Sequence, residues 1–345
     1  MTPMRQLTAE GAPPQDSEPS ARGAEPRTGA SWTFRRRRPI GALAGAVAPL
    51  RGIEVAAVGS SSRLEIPTGL MNLVFGFGDP FTVSPATAPD AGTDAGAEAD
   101  MGAVGHGALV ADPTRADARM VPMASIVSAP RSVAHVGRRG GRFSFVETAM
   151  TPMAACRVLG LPMRDLAQGM HAPGDLLGHG ADELIGRMAE TADWDAKLAL
   201  LERFLSDRFL QTEPCPLPVE YAWHRLRQRD APTAAQLAAE LEWSTRHLRR
   251  QFELYVGMSP HEVTMVARLQ RALRLESSGV SLAEVAHGAG YHDQAHLVRS
   301  FRGVLGMTPS RYRALRAANG APTPFTERVP GHVTSIMLVP TLARA

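Results

Sequence analysis

The spacing of apolar positions changes along the chain, and each change marks an element. Between about residues 52 and 148 apolar and polar positions alternate. Arg63-Leu64-Glu65-Ile66 alternates, and residues 70–77 (LMNLVFGF) have the β-branched and aromatic content of a half-buried strand. Pro67-Thr68-Gly69 and Asp79-Pro80 supply turns, and residues 81–83, 107–111, 121–127 and 143–148 are further strand candidates. Several short strands with turn signals predict a small barrel or sandwich. Residues 86–105, rich in Ala, Gly and Asp, read as an exposed loop.

From about 152 to 210 the period lengthens to that of a helix. Trp194, Leu198, Leu201, Phe204, Leu205 and Phe209 form one stripe, and Leu184, Ile185 and Met188 have similar spacing. Such a stripe packs against the β unit or, alternatively, forms a dimer face. Pro214, Pro216 and Pro218 make a stiff linker, after which Val219, Ala222, Trp223 and Leu226 fit one more helix.

Beyond that helix a motif occurs twice. Arg250-x-Phe252 leads through four residues to Gly257-Met258-Ser259-Pro260, and Arg299-x-Phe301 to Gly306-Met307-Thr308-Pro309, forty-nine positions on. His247-Leu248 and His296-Leu297 precede the two copies at the same offset. Farther upstream, Thr233 with Gln236 and Ser281 with Glu284 have capping-box spacing at an offset of forty-eight. The one-residue slip belongs in the turn, near His292. A repeat of this length is one supersecondary unit used twice. In each copy a short capped helix precedes a turn. A second helix starts at Ser244 or Asp293 and stops at Gly257 or Gly306, and Pro260 or Pro309 opens the next one. That is helix-turn-helix. Residues 260–276 would form a connecting helix about 25 Å long at 1.5 Å per residue. With one duplex turn of about 34 Å, such a strut suits two helices in successive major grooves and a site of roughly 15 to 20 base pairs.

Residues 216 to 315 resemble the DNA-binding domain of the AraC/XylS family of bacterial transcription regulators. The resemblance rests on residues 244–252 (STRHLRRQF), 257–260 (GMSP), 286–297 (AHGAGYHDQAHL) and 306–313 (GMTPSRYR). It implies two helix-turn-helix units joined by a long helix, and a β-rich N-terminal module of the sensor kind. The clustered His and Glu of a cupin metal site are not visible. The expected class is therefore α+β. Residues 1–40 would be disordered, 41–150 a β-rich sensor or dimerisation domain, and 151–213 a helical extension. Residues 216–317 would form the all-α double helix-turn-helix domain, and 318–345 a tail. Residues 333–342 are apolar enough for a strand or a packed tail.

Charge agrees with that division. The chain carries 37 basic and 34 acidic residues. Residues 221–317 hold fourteen arginines against eight carboxylates, so the basic excess lies where the repeated unit lies, as phosphate binding requires. The run Arg35 to Arg38 before a mildly apolar stretch imitates a secretion signal. Gly41, Gly45 and Pro49 interrupt that stretch, and a solvated basic run before the first strand is the preferred reading. Two cysteines, Cys156 and Cys215, make neither a disulfide framework nor a Cys-based zinc site.

On the second helix of the first unit, Leu248, Gln251, Phe252 and Tyr255 share an inward face. Thr245, Arg246, Arg249, Arg250 and Glu253 share the outward one. Arginine is the usual bidentate partner of guanine O6 and N7 in the major groove. The resemblance implies that Arg246, Arg249 and Arg250 touch bases or neighbouring phosphates. In the second unit Gln294, Ala295, Val298, Arg299 and Arg302 face outward, and Ala295 and Val298 offer only methyl contacts. The first unit is thus expected to specify sequence and the second to anchor backbone. Arg268, Arg271 and Arg274 on the connecting helix are expected to face out, the first two as DNA contacts. His292 and His296 have i, i+4 spacing, but a structural or phosphate-contacting role for His296 is preferred to a metal site. No cofactor, metal site, nucleophile motif or nucleotide fingerprint is indicated.

The expected function is a cytoplasmic, sequence-specific regulator that is not an enzyme. Its partners would be double-stranded DNA and RNA polymerase, with a small-molecule effector and a homodimer as further possibilities and no membrane. The rivals are a catalytic N-terminal domain, and a protein acting through protein contacts alone.

Overall fold

A computed structural model describes residues 17–24, 31–86, 123–166, 169–320 and 327–338. Among them are nine antiparallel strands in one sheet. They are β1 (Ser17–Ala24), β2 (Ser31–Arg37), β3 (Leu50–Glu65), β4 (Met71–Gly78), β5 (Thr82–Pro85), β6 (Ile126–Ser128), β7 (His135–Met150), β8 (Met170–His171) and β9 (Ser335–Leu338). The order is β1-β2-β3-β7-β4-β6-β8, with β5 added to β7 and β9 to β3.

The two sixteen-residue strands, β3 and β7, form the spine, in register from Arg51 opposite Glu147 to Glu65 opposite His135. Register shifts between Val55 and Ser61 bend the pair. The two ends of the spine have different neighbours. β2 and β4 flank one end, and β9 and β5 flank the other. The sheet therefore curls. One face holds Ile53, Val55, Val74, Phe81, Ile126 and Phe145 around an inner cavity. The opposite face buries Leu50, Leu73, Phe75 and Val146 against helices.

Those helices are α1 (Pro152–Leu159), α2 (Pro173–Leu177), α3 (His179–Glu190) and α4 (Trp194–Gln211). Thr151 caps α1 and Asp193 caps α4 through side-chain bonds to backbone N–H groups. Leu198, Leu201, Leu205 and Phe209 of α4 are buried in the sheet's core, so the stripe is core packing. A Cβ on Gly52 would overlap the Trp194 ring, which lets α4 lie flat on β3. Lys197, the chain's single lysine, is buried beside the rings of Phe77 and Trp194. The two cysteines are also buried. Cys156 Sγ donates to Tyr255 O and Cys215 Sγ to Met153 O.

Seven helices follow: α5 (Leu217–Leu226), α6 (Ala234–Glu240), α7 (Thr245–Tyr255), α8 (Pro260–Glu276), α9 (Leu282–Ala289), α10 (Gln294–Leu305) and α11 (Pro309–Asn319). α8 spans two cores. Val263 and Val266 lie in the one shared by the sheet's helix-covered face with α1, α4, α5 and α7. Leu269, Ala272 and Leu273 lie in the other, with Leu64, Ile66 and Val136 of the sheet, Val285, Phe301 and Tyr312 of the second unit, and Ile336 of β9.

Three sequence expectations need correction. Residues 17–24 and 31–37, expected within a disordered 1–40, form the paired strands β1 and β2, with Trp32 opposite Val55 and Phe34 opposite Ile53. The alternation of Trp32 and Phe34 was masked by the arginines after it. β7 starts at His135 rather than 143, because the Gly- and Arg-rich 137–142 reads as turn yet pairs with β3 at Gly137, Arg138, Arg139 and Gly141. The tail expected at 318–345 is not separate: residues 335–338 take the strand form that 333–342 allowed and join the N-terminal sheet beside β3, a pairing no local pattern announces. Residues 1–16, 107–111 and 87–105 lie outside the described residues.

Candidate nucleic-acid interface

Each unit is built by the same caps. Thr233 and Gln236 close a capping box at α6, Ser281 and Glu284 another at α9, and Ser259 and Glu262 a third at α8. Ser244 accepts from His247 N at the start of α7, and Asp293 from His296 N at the start of α10. The turns also correspond. Trp243 N donates to Ala238 O at 2.8 Å, and Tyr291 N to Ala286 O at 2.9 Å. Before Trp243 stands Glu242 with φ 56°, and before Tyr291 stands Gly290 with φ 85°. Among the described residues Glu242 is the single non-glycine with positive φ. The turn aromatic then stacks edge-on against a histidine of the next helix, Trp243 on His247 at 4.6 Å and Tyr291 on His296 at 5.1 Å. The offset grows from forty-eight to forty-nine between these partners, so the extra residue is His292.

In α7 Leu248 and Phe252 are buried, while Thr245, Arg246, Arg249, Arg250 and Glu253 are exposed. Arg249 Nε donates to Glu253 Oε1 at 2.8 Å, one turn along the helix. The inner side of α7 is fixed by the N-terminal domain. A Cβ on Gly257, which has φ 71°, would crowd Met163 at 3.1 Å, and Tyr255 O accepts from Cys156. In α10 Leu297, Phe301, Val304 and Leu305 are buried, and Gln294, Ala295, Arg299 and Arg302 are exposed. Val298 is half-buried, since its neighbours Leu297 and Phe301 draw that side of the helix inward.

α8 departs from expectation. Arg274 is exposed, but Arg268 and Arg271 are half-buried. The Arg271 guanidinium donates to Ala289 O, Arg227 O and Gln228 O, which clamps the ends of α5 and α9 onto α8. Free backbone carbonyls at helix ends attract a guanidinium, and three of them hold this one inside the domain. Arg268 lines an open groove with Arg229, His287, His292 and His296, next to the turn of the second unit. Arg229 and His287 were missed from the sequence because neither lies on a recognition helix. Burial, then Arg268, holds the His296 ring below the usual histidine range. Among the described residues no group of three or more His, Cys, Asp or Glu could hold a metal ion, and no helix is long and apolar enough to cross a membrane.

A second concentration of charge lies in the inner cavity. Among the described lining residues are four arginines, Arg63, Arg131, Arg139 and Arg328, and one carboxylate, Glu65. Glu147 lies behind, paired with Arg51 at 2.6 Å and with Arg328 at 3.6 Å. Burial pushes the Glu147 carboxyl up, and Arg51 pulls it back. The sequence signal for this cluster was the odd-numbered face of β7, from Gly137 through Arg139, Phe143 and Phe145 to Glu147.

Residues 237–315 match a family of helix-turn-helix domains. The chain is 37% identical over 82 residues to a putative AraC-like transcription regulator of Streptomyces lividans, covering 24% of this chain and 27% of that protein. It is 30% identical over 142 residues to the transcriptional regulator VirS of Mycobacterium tuberculosis, 40% of each chain. The alignments thus span about a quarter to two fifths of these relatives. Among solved structures, the DNA-binding domain of AdpA in complex with a target DNA is 30% identical, over 32% of this chain and 97% of that one, with a TM-score of 0.27. ToxT from Vibrio cholerae, bound to an unsaturated fatty acid, is 10% identical over 78% of this chain and 93% of that one, with a TM-score of 0.38.

Proposed function

We propose that this chain, whose C-terminal third is an AraC-type helix-turn-helix domain, is a sequence-specific DNA-binding transcription regulator. The observation that carries the proposal is the row of exposed guanidinium groups, Arg246, Arg249 and Arg250, on a helix fixed from behind by buried Leu248 and Phe252. An α-helix fits the major groove, and such a row can reach guanine edges and the flanking phosphates. α7, with Thr245 at its start, specifies sequence. α10 anchors backbone through Arg299 and Arg302, with Gln294, Ala295 and Val298 adding little base readout. Arg268 supplies positive potential in the groove beside α10, whereas Arg271 acts as a clamp within the domain.

The N-terminal sheet domain senses an effector in its inner cavity, and effector binding changes the population of a DNA-competent arrangement. The sheet and both units share cores, so a ligand inside the sheet has a packed route to α8. RNA polymerase and a second copy of the chain are further partners in this reading. The cytoplasm is its setting.

Titration of the full chain against duplexes selected from genomic DNA tests the reading. A regulator of this kind binds a selected duplex with a steep negative dependence of log affinity on log salt, and far more tightly than a scrambled duplex. Equal affinity for both duplexes would overturn sequence recognition, and no binding at low salt would overturn DNA binding.

A further inference from the structure

Arg131 follows β6 and is 8% exposed. Its Nη1 donates to Ser128 Oγ at 2.7 Å, and among the described residues its Nε has no hydrogen-bond partner. Burial pushes its pKa down to about 10, and among the described residues no carboxylate opposes that shift. The group stays cationic at neutral pH. A buried guanidinium without a counter-charge is costly, by several kcal/mol for an unrelaxed ion. Glu65 and Glu147 do not relieve it, because both are engaged by Arg328, and Glu147 by Arg51 as well. Among the described residues, then, none supplies Arg131 with a counter-charge, and an anion entering the cavity would meet an unanswered guanidinium.

The lining also has a direction. Asn72 pairs with Ser128 across β4 and β6, and Arg131 bonds that serine, so three hydrogen-bonding side chains gather at one end. The next rung inward is Val74 opposite Ile126. Beyond it lie Phe81 and Phe145, with the Arg139 guanidinium 4.5 Å and 4.6 Å from their ring centres. A polar head position thus opens onto an apolar and aromatic body position.

We infer that the cavity binds a small organic carboxylate, its head on Arg131, Ser128 and Asn72 and its apolar body along Val74, Ile126, Phe81 and Phe145. The inference rests on the reading of the N-terminal domain as a sensor and adds the chemical class of what it senses. The planar fork of Arg131 matches a carboxylate, with Nε and a terminal nitrogen donating to its two oxygens. The two neutral partners suit a monoanion better than a phosphate dianion, which would ask for more cationic donors at the head.

The test uses the full chain and four probes: benzoate, octanoate, benzamide and inorganic phosphate. Binding is read by calorimetry and by thermal unfolding, and affinity for a selected duplex is measured on the same preparation. Benzoate or octanoate should bind and raise the unfolding temperature, benzamide should bind at least roughly tenfold more weakly, and phosphate should bind more weakly still. Arg131→Gln should lower carboxylate affinity by roughly tenfold or more while leaving duplex affinity without probe unchanged. Should that variant not fold, Ser128→Ala and the benzoate–benzamide comparison on the unaltered chain carry the same question. Equal binding of benzoate and benzamide, equal binding of phosphate, or binding of no carboxylate overturns the inference. If duplex binding persists in those cases, the regulator reading stands and the carboxylate site alone falls. If duplex binding is absent while benzoate binds, the reverse holds.

Discussion

Gln270 and Val333 hold each other by two hydrogen bonds of 3.0 Å, amide nitrogen to carbonyl and backbone nitrogen to amide oxygen. The same Gln270 nitrogen donates to Pro67 O at 2.8 Å. One side chain at the centre of α8 therefore ties the strut between the two DNA-binding units to the turn before β4 and to the segment that leads into β9. Gln270 is 3% exposed. Gln270→Ala strands two carbonyls and one N–H in a buried position and should destabilise the fold by about 2–3 kcal/mol. Chemical denaturation gives the loss, and hydrogen exchange should locate the largest loss of protection in 327–338. Unchanged protection there would show that the segment is held by other contacts.

The proposed division, with α7 reading sequence and α10 anchoring backbone, predicts that the two roles separate by mutation. Arg249→Ala should cost about 1–3 kcal/mol on the preferred duplex and little on duplexes mutated at the base it reads. Arg302→Ala should weaken all duplexes alike and lower the magnitude of the salt slope by about 1. Titrations over a set of mutated half-sites check both. A uniform loss from Arg249→Ala, with relaxed specificity from Val298→Ala, would reverse the assignment. Glu253→Ala releases Arg249 from its 2.8 Å ion pair. The released pair is exposed, so any change in stability should stay below about 0.5 kcal/mol.

Glu242 occupies a left-handed conformation that Gly290 occupies in the second unit. A side chain costs about 1 kcal/mol there relative to glycine, offset in part by glycine's larger unfolded entropy. Glu242→Gly should be neutral or stabilising by up to about 1 kcal/mol, measured as a shift in unfolding midpoint. A clear destabilisation would mean that the Glu242 side chain makes a contact of its own.

Two histidines make the fold sensitive to acid. Burial, then Arg227, holds His332 down to about 4, and its Nε2 accepts from the Arg227 guanidinium at 3.0 Å. Burial, then Arg131, holds His135 down to about 3. Both are neutral in the folded protein at neutral pH. Between the ordinary value of 6.5 and these lowered values the unfolded chain binds more protons than the folded one. Stability should thus be intact above about pH 6.5 and fall as pH drops toward 4, by on the order of 3 kcal/mol for each group. His332→Gln should flatten part of that slope in urea titrations from pH 7 to 4.5. An unchanged slope would exclude His332 as a source.

How much of this was readable from the chain depended on whether the information was local. The two units were legible because caps, glycine stops and the Arg-x-Phe motif act within a few residues. The slip at His292 could be placed for the same reason. The α4 stripe was legible as a helix face, but its target was not, since Gly52 against Trp194 is a contact between distant segments. The curled sheet was less legible. Trp32 and Phe34 alternate beside an arginine run, and the inner face of β7 mixes Gly137 and Arg139 with Phe143 and Phe145. A strand that lines a charged cavity loses the simple apolar–polar alternation that marks a half-buried one. Arg271 had the right spacing to face solvent, and only the meeting of α5, α8 and α9 supplies the carbonyls that hold it.

The pairing of β9 with β3 sets an order of assembly. Ser62 through Glu65 gain their second neighbour only from residues made after both helix-turn-helix units. During synthesis one border of the N-terminal sheet stays open until the ribosome has released Leu338. Domains cut from this protein at the interdomain linker would inherit that raw border, and a soluble N-terminal fragment should need residues 327–338 supplied as a separate peptide.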